Sequence, residues 1–265
     1  MSSQVDRFVN LLQEYPSDGL VANPWANRDR KFDTDKHAPS HRSDHLRAYL
    51  NARLNTAKAL LIAEAPGYQG AKFSGIPMTC ERTLLGHRPG VSREDVFDET
   101  IERNRTSRPD ASRKQAVRLQ GFCEPTAAYV WPLIAERGLS KKIVLWNVFG
   151  FHPYKDTGTL TNRTPRAEEI GSEDNRKVLE KFLQMFPNLP ILAIGRKSEK
   201  YLREWGTRHE LSFARHPANG GGAIFHEDFD KFLKKVGLWP DRDRSRQTNV
   251  QLRLCVGLCL PPGMA

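Results

Sequence analysis

The sequence predicts a three-layer α/β/α fold with a central, mainly parallel four-stranded sheet. Three observations carry that expectation: four short apolar runs, a helix-like segment ahead of each, and polar, Pro- and Gly-rich sequence where the runs finish.

Residues 5–14 and 43–56 carry apolar side chains at three- and four-residue spacing, the period of an amphipathic helix. NPWANRDRKFDTDKHAPSHR between them reads as a polar connector. Residues 1–42 are therefore expected to pack as a helix and connector on a main domain spanning 43–240. KALLIAEAPG (58–67) is continuously apolar rather than alternating, the pattern of a strand buried on both faces. KKIVLWNVFGF (141–151), LPILAIG (189–195) and HELSFARHP (209–217) repeat that pattern. EPTAAYVWPLIAERG, PRAEEIGSEDNRKVLEKFLQMF and RKSEKYLREWG, which precede the second, third and fourth runs, read as the crossover helices that a parallel sheet requires.

Residues 101–120 form a basic insertion with Arg103, Arg105, Arg108, Arg113, Lys114 and Arg118, read as a solvated surface or a mobile loop. The tail 241–265 departs from the rest. It is compatible with disorder, with an edge strand through VQLRLCV, or with sequence foreign to the fold.

The chain has 265 residues, 38% of them hydrophobic and 27% charged, enough to bury a full core. The N-terminus lacks a signal-peptide pattern, and no apolar run approaches the roughly 20 residues that span a bilayer. A soluble cytoplasmic protein without membrane contact is expected. A net charge of +10 favours a polyanionic partner. Cys80, Cys123, Cys255 and Cys259 form no CxxC pair, so neither a zinc site nor a disulfide framework is indicated.

Ligands of open parallel sheets bind at the carboxyl ends of the strands. The odd polar residues gather there: Glu64 after the first run, Asn147 and then His152 after the second, Arg215 and His216 after the fourth. A carboxylate to hold water, an amide to read a polar edge and an imidazole to stabilise a leaving anion suit hydrolysis. Each also has a structural use. Glu64 can cap a helix or pair with an Arg, Asn147 can satisfy buried backbone, and His216 can bond within its loop. No Lys-Ser/Thr follows the glycine loop and no Gly-x-Gly-x-x-Gly occurs in it, which argues against a Walker or dinucleotide site.

EAPGYQGAKFSGIPM (64–78) resembles the first motif of the uracil-DNA glycosylase superfamily, in the form found in its family-four branch. NVFGFHPYKDTGTLTNRTPRAEE resembles that branch's second block, and RHPANGG resembles the closing His-Pro-Ser motif. The likeness runs over roughly residues 55–237. It implies a monofunctional enzyme that flips a pyrimidine out of single- or double-stranded DNA and hydrolyses its glycosidic bond, with no obligatory protein partner. In that reading Asn147 reads the base, His216 steadies the departing base and Glu64 positions water.

The sequence departs from the branch in three places. No Cys precedes Cys80, so no iron-sulfur cluster, metal or other cofactor is expected, and Cys80 and Cys123 read as ordinary thiols. Gly67 stands where the best-known branch has a Tyr that walls off the base's 5-position, which implies room for 5-substituted pyrimidines. Met78 stands where family four has a stacking Phe, so Met78, Phe73 or Phe151 is expected against the base. Arg163, Arg215, Asn219, Gly220 and the 101–120 segment are expected to meet DNA. Uracil is the first substrate expected. Hypermodified cytosine in phage DNA, a defence role, and a DNA-binding protein without catalysis are the alternatives.

Overall fold

Helix α1 (Gln4–Glu14) opens on a reciprocal cap: the Ser3 hydroxyl accepts from the Asp6 N–H and the Asp6 carboxylate accepts from the Ser3 N–H, an arrangement worth about 1 kcal/mol. Val5, Phe8, Val9 and Leu12 make its buried stripe. The computed structural model describes residues 3–17, 19–98, 101–218 and 220–239. After α1 come β1 (Val21–Ala22), α2 (Ala38–Asn51), β2 (Ala59–Ala63), three one-turn helices α3 (Ala71–Ser74), α4 (Glu81–Leu84) and α5 (Arg93–Val96), then α6 (Gln115–Gln120) and α7 (Pro125–Glu136). β3 (Ile143–Asn147), β4 (His152–Pro153), α8 (Ala167–Gly171), α9 (Glu173–Met185), β5 (Ile191–Ile194), α10 (Arg196–Glu204), β6 (Leu211–Ala214) and α11 (Gly222–Lys235) complete the described chain.

The four predicted strands form one parallel sheet in the order β3-β2-β5-β6, flanked by helices, as the sequence predicts. β2, β3 and β5 are buried at every position, which is why their sequences do not alternate. β3 lies at an edge of the sheet, yet its backbone is covered. The Leu145 N–H donates to the Tyr49 hydroxyl, and buried Arg53 donates to the carbonyls of Ile143, Ser140, Val96, Asp95 and Tyr49. Trp146 on β3 stacks between Trp25 and Phe182, with Phe8 edge-on. Burial of one such side chain contributes roughly 1.5–3 kcal/mol.

Three differences from the expected elements have physical reasons. Helix α2 starts five residues before the predicted 43, because Pro39 suits a first helical turn whose N–H groups have no partner in any case. The β1–β4 pair is two residues long, too short to carry a periodic signal. Helix α11 is not among the expected elements, although Phe225, Phe229 and Phe232 recur at helical spacing.

Within the 101–120 segment two of the basic residues are anchored to the fold, while Arg108, Arg113, Lys114 and Arg118 stand exposed, as a solvated surface requires. Arg103 is buried and donates to the carbonyls of Arg93, Phe97 and Asp98; Arg105 donates to those of Ser107, Val117 and Arg118. Ser107 bridges to Asp33 of the connector. Residues 241–265 lie outside the described residues.

Candidate active site

All four strand ends face one edge of the sheet. The strand order reverses between β2 and β5, the topological position at which open α/β sheets bind ligands. β2 and β3 are in register at Ala63 and Asn147, and the Val148 and Phe149 N–H groups donate to the carbonyls of Ala63 and Glu64 at 2.8 and 2.9 Å. Glu64 and Asn147 are thereby fixed on adjacent strand ends.

A cleft of about 530 Å³ opens there, lined by Glu64, Gly67, Glu124, Thr126, Asn162 and His216 among others. Lys197, in the first turn of α10, pairs with Glu64 Oε1 at 3.1 Å and donates to Thr164 Oγ1 at 3.2 Å. The partner of Glu64 is thus a lysine from β5's end, not an arginine.

Asn147 is 1% exposed, and among the described residues neither Nδ2 nor Oδ1 of its amide has a hydrogen-bond partner. Such a group costs roughly 1–3 kcal/mol, and native chains tolerate few of them. It does not line the open cleft; it lies buried beside the strand end that carries Glu64.

His216 follows β6. The Ala218 N–H donates to its Nδ1 at 3.1 Å, so Nε2 is the protonated nitrogen, 3.5 Å from Thr126 Oγ1. Burial pushes the ring's pKa below its ordinary value, favouring the neutral imidazole. The tight turn after it depends on Gly221, where a Cβ would stand 2.1 Å from the His216 carbonyl oxygen.

Gly67 does not leave its space empty. A Cβ there would meet Asn162 Nδ2 at 3.2 Å. Asn162 Oδ1 accepts from the Tyr68 N–H at 2.8 Å and from His152 Nε2 at 3.1 Å, which turns the amide's NH₂ toward Gly67. Burial holds His152 down to about 3, so its ring is neutral and serves as a fixed donor.

Glu124 stands at the N-terminus of α7 without capping it. Its carboxyl lies against Gly70, where a Cβ would come within 2.6 Å, and its buried Oε2 has no hydrogen-bond partner among the described residues. Burial first, and then the negative charge of Cys80, raise its pKa to about 8. Cys80 and Cys123 are not independent thiols. Burial pushes Cys80 up, but a hydrogen bond with Cys123 and the charge of Arg88 outweigh it and hold the thiol well below its usual range. Arg88 Nη2 donates to Cys123 Sγ at 2.9 Å.

Several expected site residues lie elsewhere. Phe151 is fully buried and stacks on Tyr15 with ring centroids 3.5 Å apart, so it is core rather than a platform for a base. Phe73 stacks on Phe122 at 5.1 Å in a satellite cluster. Met78 is in the main core at a φ of 48°. Arg163 lines the cleft, but its guanidinium is committed to the carboxylate of Glu169 and the carbonyls of Leu20, Tyr154 and Thr164. That leaves it no free donor for a phosphate. Arg215 and Gly220 are exposed, while Asn219 lies outside the described residues.

Glu124, Asn162 and Thr126 line the cleft and Lys197 pairs with Glu64 at its edge, and none of the four stands out in the sequence. Asn162 stands inside the NRTP block, where a motif comparison touches it. Glu124 precedes a proline at a helix start and reads as an ordinary boundary. A second cavity of about 400 Å³ lies between the N-terminal connector and the 152–161 loop. It contains none of Glu64, Asn147 and His216, and its Lys72 and Arg42 are paired with Asp29 and Asp33. Among the described residues, no group of three or more His, Cys, Asp or Glu side chains converges as metal ligands would.

No family model and no curated protein matches the sequence. The structure is similar to the crystal structure of wild-type SMUG2 from Pedobacter heparinus, with a TM-score of 0.60 at 15% identity, over 89% of this chain and 99% of that one. This likeness establishes the fold, the α/β architecture of the uracil-DNA glycosylases.

Proposed function

We propose that the chain is a monofunctional DNA glycosylase of the uracil-DNA glycosylase superfamily. It flips a pyrimidine nucleotide out of DNA and hydrolyses the N-glycosidic bond, leaving an abasic site. The observation that carries this reading is Asn147. A buried amide with no partner on either atom pays for a ligand it has yet to meet, and a pyrimidine's edge offers the donor and acceptor that it lacks.

Beside that buried amide, the open cleft supplies the other parts. The carboxylate of Glu64, paired with Lys197, takes a proton from water that attacks C1′. The neutral His216 offers Nε2–H to the base's carbonyl oxygen as negative charge builds there. Arg215 lies on the exposed surface next to His216, where a phosphate of the flipped nucleotide's strand would pass.

The reading extends to pyrimidines larger than uracil, including glucosylated 5-hydroxymethylcytosine of phage DNA. Asn162 Nδ2, which donates no hydrogen bond among the described residues, lies beside Gly67 and suits an acceptor on a 5-substituent. The test is base release from oligonucleotides carrying uracil, a thymine mismatch, 5-hydroxymethylcytosine and its glucosylated form, followed by alkali cleavage at abasic sites. Release of at least one base supports the reading. Release of none, with DNA binding retained, leaves a DNA-binding protein without catalysis.

A further inference from the structure

The cleft holds two carboxyl groups in opposite environments. Glu64 is partly exposed and ion-paired with Lys197 at 3.1 Å. Glu124 is 8% exposed, its buried Oε2 has no hydrogen-bond partner among the described residues, and it lies against the bare Cα of Gly70. The groups around Glu124 do nothing to favour an anion. Its own N–H donates to the Cys80 sulfur, and Arg88 gives its charge to the Cys80–Cys123 pair rather than to the carboxyl. Glu64, Arg163 and His216 line the same cleft, and Arg163 is already neutralised by Glu169. The start of α7 favours an anion, but the side chain makes no capping hydrogen bond to it. A buried carboxyl with no donor keeps its proton.

A carboxyl buried against a bare Cα and a second carboxyl ion-paired with a lysine, lining one cleft, can serve as an acid and a base in one site. We propose that Glu124 is the general acid of this cleft, protonating a cytosine-type base as it departs, while Glu64 takes a proton from the attacking water. The proposal rests on the glycosylase reading above. As the C1′–N1 bond breaks, its electron pair goes to the ring. The Glu124 proton goes to ring N3, so the base leaves neutral. The water oxygen bonds to C1′ and its proton goes to Glu64. Solvent then returns a proton to Glu124 and takes one from Glu64, with one water consumed. Uracil, a more acidic leaving group, departs as an anion on the His216 hydrogen bond and needs this acid less. The substrate class is therefore cytosine bearing a 5-substituent.

The experiment is single-turnover release of 5-hydroxymethylcytosine, with and without glucose, and of uracil, from pH 5 to 9, for the wild type and E124Q. In the wild type, release of the cytosine-type base falls as pH rises through about 8, where Glu124 loses its proton. E124Q lowers that release roughly 100-fold or more and removes the limb near pH 8, with a smaller loss on uracil. The same limb persisting in E124Q, an undiminished rate, or release of uracil alone by the wild type overturns the proposal. Release of no base by the wild type overturns the glycosylase reading and this assignment with it. Thermal unfolding checks that E124Q is folded, and the wild-type pH profile stands as a test without the variant.

Discussion

The Ala218 N–H donates to His216 Nδ1 across 3.1 Å, and that contact decides which ring nitrogen faces the cleft with a proton. Replacing His216 with Ala removes the Nε2–H donor without touching the sheet. Turnover is expected to fall about 10²- to 10³-fold, the usual effect of losing one oxyanion donor. Fluorescence anisotropy with undamaged DNA should give an affinity close to that of the wild type.

Asn147 sets stability against function. Asn147→Leu replaces an unpartnered buried amide by an apolar group of similar size, so unfolding in urea should cost about 1–3 kcal/mol more than in the wild type. Base release should be lost in the same variant. A destabilised Asn147→Leu protein would mean that the amide is satisfied in solution.

Asn162 governs the 5-side of the base. Asn162→Ala removes the donor beside Gly67 and should lower kcat/KM for 5-hydroxymethyl pyrimidines relative to unsubstituted ones by about tenfold, near 1.4 kcal/mol. Equal losses on both substrates would place its role in holding Tyr68 rather than in selecting the base.

Acid weakens the fold through His45. Its Nε2 accepts from the Asn104 N–H and its Nδ1 bonds the Ser74 carbonyl, while burial holds the ring down to about 4. The folded pKa lies below the ordinary 6.5, so the unfolded chain binds a proton that the folded chain refuses. Stability present above pH 6.5 is therefore lost as pH falls toward 4. The stability difference between wild type and His45→Asn should shrink by about 1.4 kcal/mol per pH unit across that window.

The sheet was legible because buried parallel strands leave an unbroken apolar signature, as in Ala59–Ala63 and Ile143–Asn147. Strand ends were legible for the same reason: Glu64, Asn147 and His216 interrupt that signature. What the sequence hides is the partner of each group. Nothing near Phe151 says that Tyr15, 136 positions earlier, will cover it, and nothing near Arg163 distinguishes a phosphate clamp from a ring of carbonyls. Gly67 has no side chain, but the space beside it was filled from a loop 95 positions away. Glu124 is unremarkable in sequence because its pKa is set by burial and by Cys80, not by its neighbours in the chain.

The most direct test is base release by the wild type, Asn147→Ala and His216→Ala on the panel of uracil and 5-substituted pyrimidine oligonucleotides. Alkali cleavage at the modified position by the wild type, reduced at least about 100-fold in both variants, is the expected result. Cleavage at wild-type rates in both variants, or no cleavage by the wild type on any substrate, would contradict the site.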